Sequence, residues 1–252
     1  MDNKTTPKYQ INYSEDLHIS ISKGNIKVGN IPQFNTLPGD EALKLSSGQV
    51  LTNVKGTCAG CCSDCKHSCY AVKCCMYHHN SIIPAWAKNT VIMRSDPEKV
   101  RREINEFCAK NAVKYFRYHT SGEIESQEQL KLYCDICKDN DDVIFYVYTK
   151  RFDLLNEYFV KKGNSLPENF IINLSEWHGN LKPYLESSDA GTKEFFSKLN
   201  IFAFDDKSEK AEFAAGLVHC PAIDKTGHET GVTCAQCKRC MKAGHRTSVY
   251  EH

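Results

Sequence analysis

The stretch Cys58-Ala-Gly-Cys61-Cys62-Ser-Asp-Cys65-Lys-His-Ser-Cys69-Tyr-Ala-Val-Lys-Cys74-Cys75 holds seven of the chain's fourteen cysteines in eighteen residues. Such a run reads as a disulfide knot, a zinc site or an iron–sulfur nest. No apolar leader opens the chain, whose first residues are Met-Asp-Asn-Lys-Thr-Thr-Pro-Lys. That argues for a reducing compartment, where disulfides are disfavoured. Adjacent cysteines, as at 61–62 and 74–75, also make poor intramolecular staples. Metal binding is the expected use of the run. It offers two registers of three thiolates, Cys58, Cys65 and Cys69, or Cys58, Cys62 and Cys65. Three thiolates on a cubane cluster leave one iron open to a ligand.

Outward from the run, the apolar segment Gln49–Val54 leads straight into it, as a strand delivers its end to a ligand loop in parallel α/β folds. Residues 1–47 are polar and broken by prolines and glycines, with short strands expected at Leu17–Ser22 and Asn25–Val28. Downstream the pattern alternates. Helices are expected at Ala85–Met93, Pro97–Asn111, Gln127–Lys138, Phe152–Lys162 and Thr192–Leu199. Strands are expected at Val113–Tyr118, Val143–Tyr148, Phe170–Leu174, Ile201–Phe204 and Leu217–His219. Asp96 caps the second helix, with Pro97 in its first turn. Strands alternating with helices point to βαβ units, a parallel sheet and right-handed crossovers.

The 252 residues suffice for a full core without staples. A formal charge of +1 gives no overall footprint for nucleic acid, which leaves a local basic groove open. No apolar run reaches the roughly twenty residues of a membrane helix. A soluble cytoplasmic protein with no membrane partner is expected.

The tail carries a second group, Cys220-Pro221 followed by Cys234-Ala-Gln-Cys237-Lys-Arg-Cys240. A structural zinc site spaces its C-x2-C pairs well apart. Overlapping C-x2-C-x2-C with a remote Cys-Pro is the ferredoxin spacing, three thiolates around a cubane with a fourth from elsewhere. Residues 1–47 then form an N-terminal extension, 48–219 a partial α/β barrel, and 220–252 a cluster-binding segment.

These motifs in order resemble the "gene product 88" family of phages and mobile elements. They are the Cys…Cys…Cys-Tyr-Ala run, His119-Thr-Ser-Gly-Glu123 after a strand, Phe145-Tyr-Val-Tyr-Thr-Lys150 after the next, and the terminal cysteine group. The likeness covers roughly residues 20–252. The family in turn resembles radical-SAM proteins in its partial (β/α) barrel and cysteine placement. The resemblance implies a fold and one or two [4Fe-4S] clusters rather than a reaction. This chain departs from the family pattern in its extra cysteines at 61, 62, 74 and 75.

By the same resemblance, Ser121-Gly122-Glu123 stands where radical-SAM proteins bind the methionine amino group of S-adenosylmethionine. A carboxylate accepting from an ammonium beside a glycine fits that task. The plainer alternative is a turn that places Glu123 near a helix N-terminus. His119 is either a proton donor or ligand, or a satisfied core histidine. Thr149 and Lys150 end a strand and are placed to hold a carboxylate or phosphate, or simply to be solvated. Cys134 and Cys137 read as core thiols.

The expectation is an iron–sulfur redox enzyme acting at an open cluster iron. The metal ligands would be Cys58, Cys65, Cys69, Cys220, Cys234, Cys237 and Cys240, and the partner a small-molecule substrate or an electron donor. The rival is a non-catalytic iron–sulfur or zinc protein that binds nucleic acid or protein. A third arrangement has both cysteine groups on one site.

Overall fold

The structure is a computed structural model that describes residues 6–61, 63–177, 179–205, 217–224, 226 and 228–250. The expected register built on Cys62 therefore lies outside the described residues. The chain divides into two compact units with interleaved segments. One comprises residues 1–22, 33–112 and 119–140, the other residues 23–32, 113–118 and 141–252.

In the first unit, β1 (Ile21–Ser22) pairs antiparallel with β2 (Gln33–Phe34), and β3 (Ala42–Lys44) with β4 (Val50–Lys55). The segment feeding the cysteine run thus belongs to an antiparallel pair, which corrects its expected place in a parallel sheet. The run itself is not one loop. It contains α1 (Ser63–His67) and most of α2 (Tyr70–Tyr77), followed by α3 (His79–Ser95). Leu37, Leu51, Val54, Cys75, Ile83 and Ala87 form the core beneath them. Gly56 lets β4 leave this core, because a Cβ there would lie 2.1 Å from the Pro38 carbonyl.

Helix α4 (Pro97–Asn111) has the limits its capping signals predict, with the Asp96 side chain accepting from Lys99 N. In α5 (Gln127–Asp139), Ser126 accepts from Gln129 N. A two-point contact of Arg101 with Asp139, at 2.6 and 2.9 Å, ties the two helices together. Cys108, Cys134 and Cys137 are buried in this unit, as core thiols should be.

The second unit is built on a parallel sheet. Its strands are β5 (Tyr115–Tyr118), β6 (Ile144–Thr149), β7 (Phe170–Glu176), β8 (Asn200–Asp205), β9 (Val218–His219) and β10 (Arg246–Tyr250), in the order β5-β6-β7-β8-β10-β9. Every pairing along that order is parallel. Helices α6 (Phe152–Leu155), α7 (Leu181–Glu186) and α8 (Ala190–Ser197) serve its crossovers. Helix α6 runs on as a π-helical turn, Asn156–Lys161, where a single helix is expected from the sequence.

Strand β10 has no counterpart in the expected elements. It brings the end of the tail into the sheet, between β8 and β9, so the strand order is not sequential. Phe116, Tyr118, Phe145 and Phe170 pack on one face of the sheet, with ring centroids 5.5–6.0 Å apart. Tyr146 and Ile171 pack with Val28, Ile31 and Met241.

Candidate metal centres

The tail group occupies the second unit. Cys220 directly follows β9, and its amide donates to Ser248 O of β10 at 2.7 Å. Cys234 and Cys237 bound the short helix α9 (Cys234–Cys237), and Cys240 follows in a 3-10 turn. Thr233 starts α9 with a reciprocal cap, its hydroxyl accepting from Gln236 N while the Gln236 side chain accepts from Thr233 N. Lys238, at φ 56°, ends the helix in the left-handed region.

Two further features seat the helix. Cys234 N and Ala235 N donate to the carbonyls of Lys27 and Val28, at 3.0 and 3.1 Å. Gly29 permits that approach, since a Cβ there would come within 2.8 Å of Ala235 Cβ. On the sheet, Asn173 Nδ2 donates to Cys240 O at 3.0 Å and Asn200 Nδ2 to Lys242 O at 2.8 Å.

The four tail thiols act on one another and share a cationic surround. Burial pushes Cys220 up, and the charges of Lys27 and Arg239 pull it back. Burial likewise raises Cys234, opposed first by Arg117 and then by Lys27. Cys240 is pushed by burial up to about 11, opposed by the Tyr148 hydroxyl bonded to its sulfur. Thr247 meets the same sulfur, and its buried hydroxyl has no nitrogen or oxygen partner among the described residues. Arg117 lies 4.6 Å from the Tyr148 ring centroid. Burial lowers Lys27, against the pull of Cys220, Glu229 and Cys234. Among the described residues, Arg117 Nε and Arg239 Nη1 are buried and find no hydrogen-bond partner. Orphaned cationic N–H groups beside four sulfurs suit an anionic group better than four neutral thiols.

The second group occupies the first unit. Thr57 N donates to Leu37 O and Cys58 N to Gly39 O, at 2.9 and 2.8 Å. The Cys58 thiol is held far above its ordinary range, first by burial and then by the Glu123 carboxylate, with Cys69 and Cys61 adding to the effect. Cys61 is raised by burial and Asp40, with Cys65 close enough to contribute. The neighbourhood of Cys58 is therefore Cys61, Cys69 and Glu123, with Cys65 reached through Cys61. Cys61 falls outside the expected ligand set. Its only signal in the sequence is its place in the run. Among the described residues, no three His, Cys, Asp or Glu side chains converge closely enough to hold a single metal ion. A cubane spreads its thiolates across its own width.

Glu123 is positioned by a buried polar chain. Its amide donates to Thr57 Oγ1 at 2.9 Å, and Thr57 Oγ1 lies 2.9 Å from Thr36 Oγ1. The ring of His119 continues the chain, with Nδ1 3.3 Å from Thr36 Oγ1 and Nε2 2.8 Å from the Tyr133 hydroxyl. Gln129 Nε2 donates to that hydroxyl at 2.7 Å. His119 is buried, with its backbone in the left-handed region at φ 55°. Both of its ring nitrogens lie within hydrogen-bonding distance of partners inside the protein. The Ser121 hydroxyl donates to Thr36 O at 2.9 Å. Gly122, at φ 84°, could bear no Cβ, which would fall 1.9 Å from Thr36 Oγ1. The glycine thus serves a close approach within the protein.

Thr149 and Lys150 belong to the second unit. Thr149 is fully buried, and its hydroxyl accepts from Arg151 N at 3.0 Å to close the strand end. Lys150 Nζ lies 5.4 Å from the Trp177 ring centroid. Helix α5 starts at Gln127 behind its own cap, Ser126, four residues beyond Glu123.

A model of the gene product 88 family matches residues 5–243. The chain belongs to that family. The match takes in both cysteine groups and the His119–Glu123 segment. No curated protein matches the chain, and neither does any solved structure. Among the described residues, no helix is long and apolar enough to cross a membrane.

Proposed function

We propose that this family member is an iron–sulfur protein with a radical-SAM-like redox role. Cys220, Cys234, Cys237 and Cys240 would ligate one [4Fe-4S] cluster. The Cys58–Cys69 segment would hold a second, with an iron left open to S-adenosylmethionine or directly to a small substrate. The observation that carries the proposal is the tail group, thiols that act on one another with Lys27 and Arg239 acting on Cys220 and Arg117 and Lys27 on Cys234, both arginines bearing a buried N–H group with no partner among the described residues. A cubane with four thiolates is anionic, and it supplies one-electron chemistry.

The protein's own residues then have definite tasks. Arg117, Arg239 and Lys27 balance the charge of the tail cluster, and Tyr148 fixes the Cys240 sulfur. In the first unit, Glu123 is held beside Cys58 by Thr57, and its carboxylate, which already accepts from Ile124 N at 2.8 Å, would accept as well from a ligand's ammonium group. Ser121 and His119 secure that placement rather than touch the ligand.

The test is purification without oxygen, with iron, acid-labile sulfide and zinc measured per chain. Several irons with matching sulfide are expected, together with absorption near about 400 nm. Stoichiometric zinc without sulfide would overturn the proposal. Reduced protein incubated with S-adenosylmethionine should yield 5′-deoxyadenosine and methionine. If it yields neither and the EPR signal is unmoved, the open-iron enzyme acting directly on its substrate replaces the radical-SAM role.

A further inference from the structure

Helix α2 divides into two faces. At 3.6 residues per turn, Ala71, Val72, Cys75 and Met76 fall on one side. Ala71 and Cys75 are buried, and Val72 and Met76 pack against the core. Tyr70, Lys73 and Tyr77 fall within about 60° of one another on the other side. Tyr77 is 81% exposed and Tyr70 59%, so one short helix carries two of the five exposed large hydrophobic side chains among the described residues. Lys73 is exposed between them. The two tyrosines stand about 10 Å apart along the helix axis.

The charge along this part of the chain is one-sided. From Cys65 to Ser95 the chain has no Asp or Glu, but it carries Lys66, Lys73, Lys88 and Arg94, with His67, His78 and His79. Lys66 pairs with Asp40 and Arg94 with Glu125, at 2.8 and 2.5 Å. Lys73, His67 and His78 are exposed at and beside α2. A helix docking in a protein groove presents apolar anchors at i, i+3 and i+7, and here the i+3 position is Lys73. A membrane-surface helix would present Leu, Phe or Trp, which this face lacks. Two aromatic rings separated by a cation are instead a stacking platform with a phosphate contact.

We propose that the exposed face of α2, formed by Tyr70, Lys73 and Tyr77, binds single-stranded nucleic acid. Bases stack on the two rings, and the backbone phosphates run past Lys73.

The probe is a fluorescein-labelled oligothymidylate of about twenty nucleotides, long enough to span the face. Its anisotropy is followed on the full chain purified without oxygen, at two salt concentrations. Binding is expected, and Tyr77→Ala should weaken it at least about fivefold, with Tyr77→Phe restoring it. Lys73→Ala should reduce the salt slope by about 0.7. Iron content and thermal melting are measured on the same samples, so loss of the cluster, loss of folding and loss of binding read separately. Three results would each overturn the proposal. They are no anisotropy change with the folded wild-type chain, equal affinity in a folded Tyr70→Ala/Tyr77→Ala variant, and equal displacement by heparin, duplex and single strand.

Discussion

His119 and Gly122 show how a single residue secures the Cys58 neighbourhood. Removing the His119 ring leaves the Tyr133 hydroxyl and Thr36 in a buried environment without it. His119→Ala should therefore cost roughly 1–3 kcal/mol of stability, measured by urea denaturation. A change below experimental error would show that the chain of hydrogen bonds is dispensable. Gly122→Ala adds a clash with Thr36 Oγ1 to an unfavourable positive φ, and should cost about 2 kcal/mol or more. Glu123→Gln leaves the burial that chiefly raises Cys58 but removes the carboxylate charge that adds to it, while keeping the side chain's shape. It should leave iron content unchanged and weaken S-adenosylmethionine binding, read as a smaller EPR shift. An unaltered shift would remove Glu123 from the site.

Among the elements, α9 is the one whose stability and chemistry coincide. It spans four residues, too few to persist alone, and depends on its cap and on the carbonyls of Lys27 and Val28. Thr233→Ala should cost about 1 kcal/mol and speed iron loss to a chelator, while Thr233→Ser should not. Equal chelation rates in all three proteins would show that the cap does not hold the site. Helix α2 makes the complementary point. Its inner face is fixed by the core, while Tyr70 and Tyr77 stand on its exposed side.

At the scale of the molecule, buried thiols make stability depend on pH. Burial pushes Cys75 and Cys134 from 9.0 up to about 12. Their folded-state pKa lies above the unfolded value. Their contribution is thus whole below pH 9 and is lost as pH rises toward about 12. In metal-free protein the urea midpoint should hold steady from neutrality to about pH 8.5 and fall steeply above it. Cys134→Val should remove part of that fall, and a midpoint flat to about pH 11 would contradict the burial of these thiols.

The sequence by itself determined the helices and strands whose signals are local. Asp96-Pro97 set the start of α4, and the run Val143–Tyr148 marked β6, because capping and hydrophobic period act within a few residues. It also marked both cysteine groups and the family, since the spacing of cysteines is written along the chain. Tertiary structure alone decided the rest. The Asp and Lys between the cysteines give no sign that α1 and α2 are helical. Arg246–Tyr250 is a strand because β8 and β9 offer edges to it. Arg117 and Lys27 come from segments far from the tail, so only folding brings them to its thiols, whereas Arg239 stands within the cysteine run itself. His119, an ambiguous histidine in the sequence, became a core residue once Thr36 and Tyr133 closed on its two nitrogens. The common reason is range: short-range chemistry is legible in order, and long-range contacts exist only once the chain is folded.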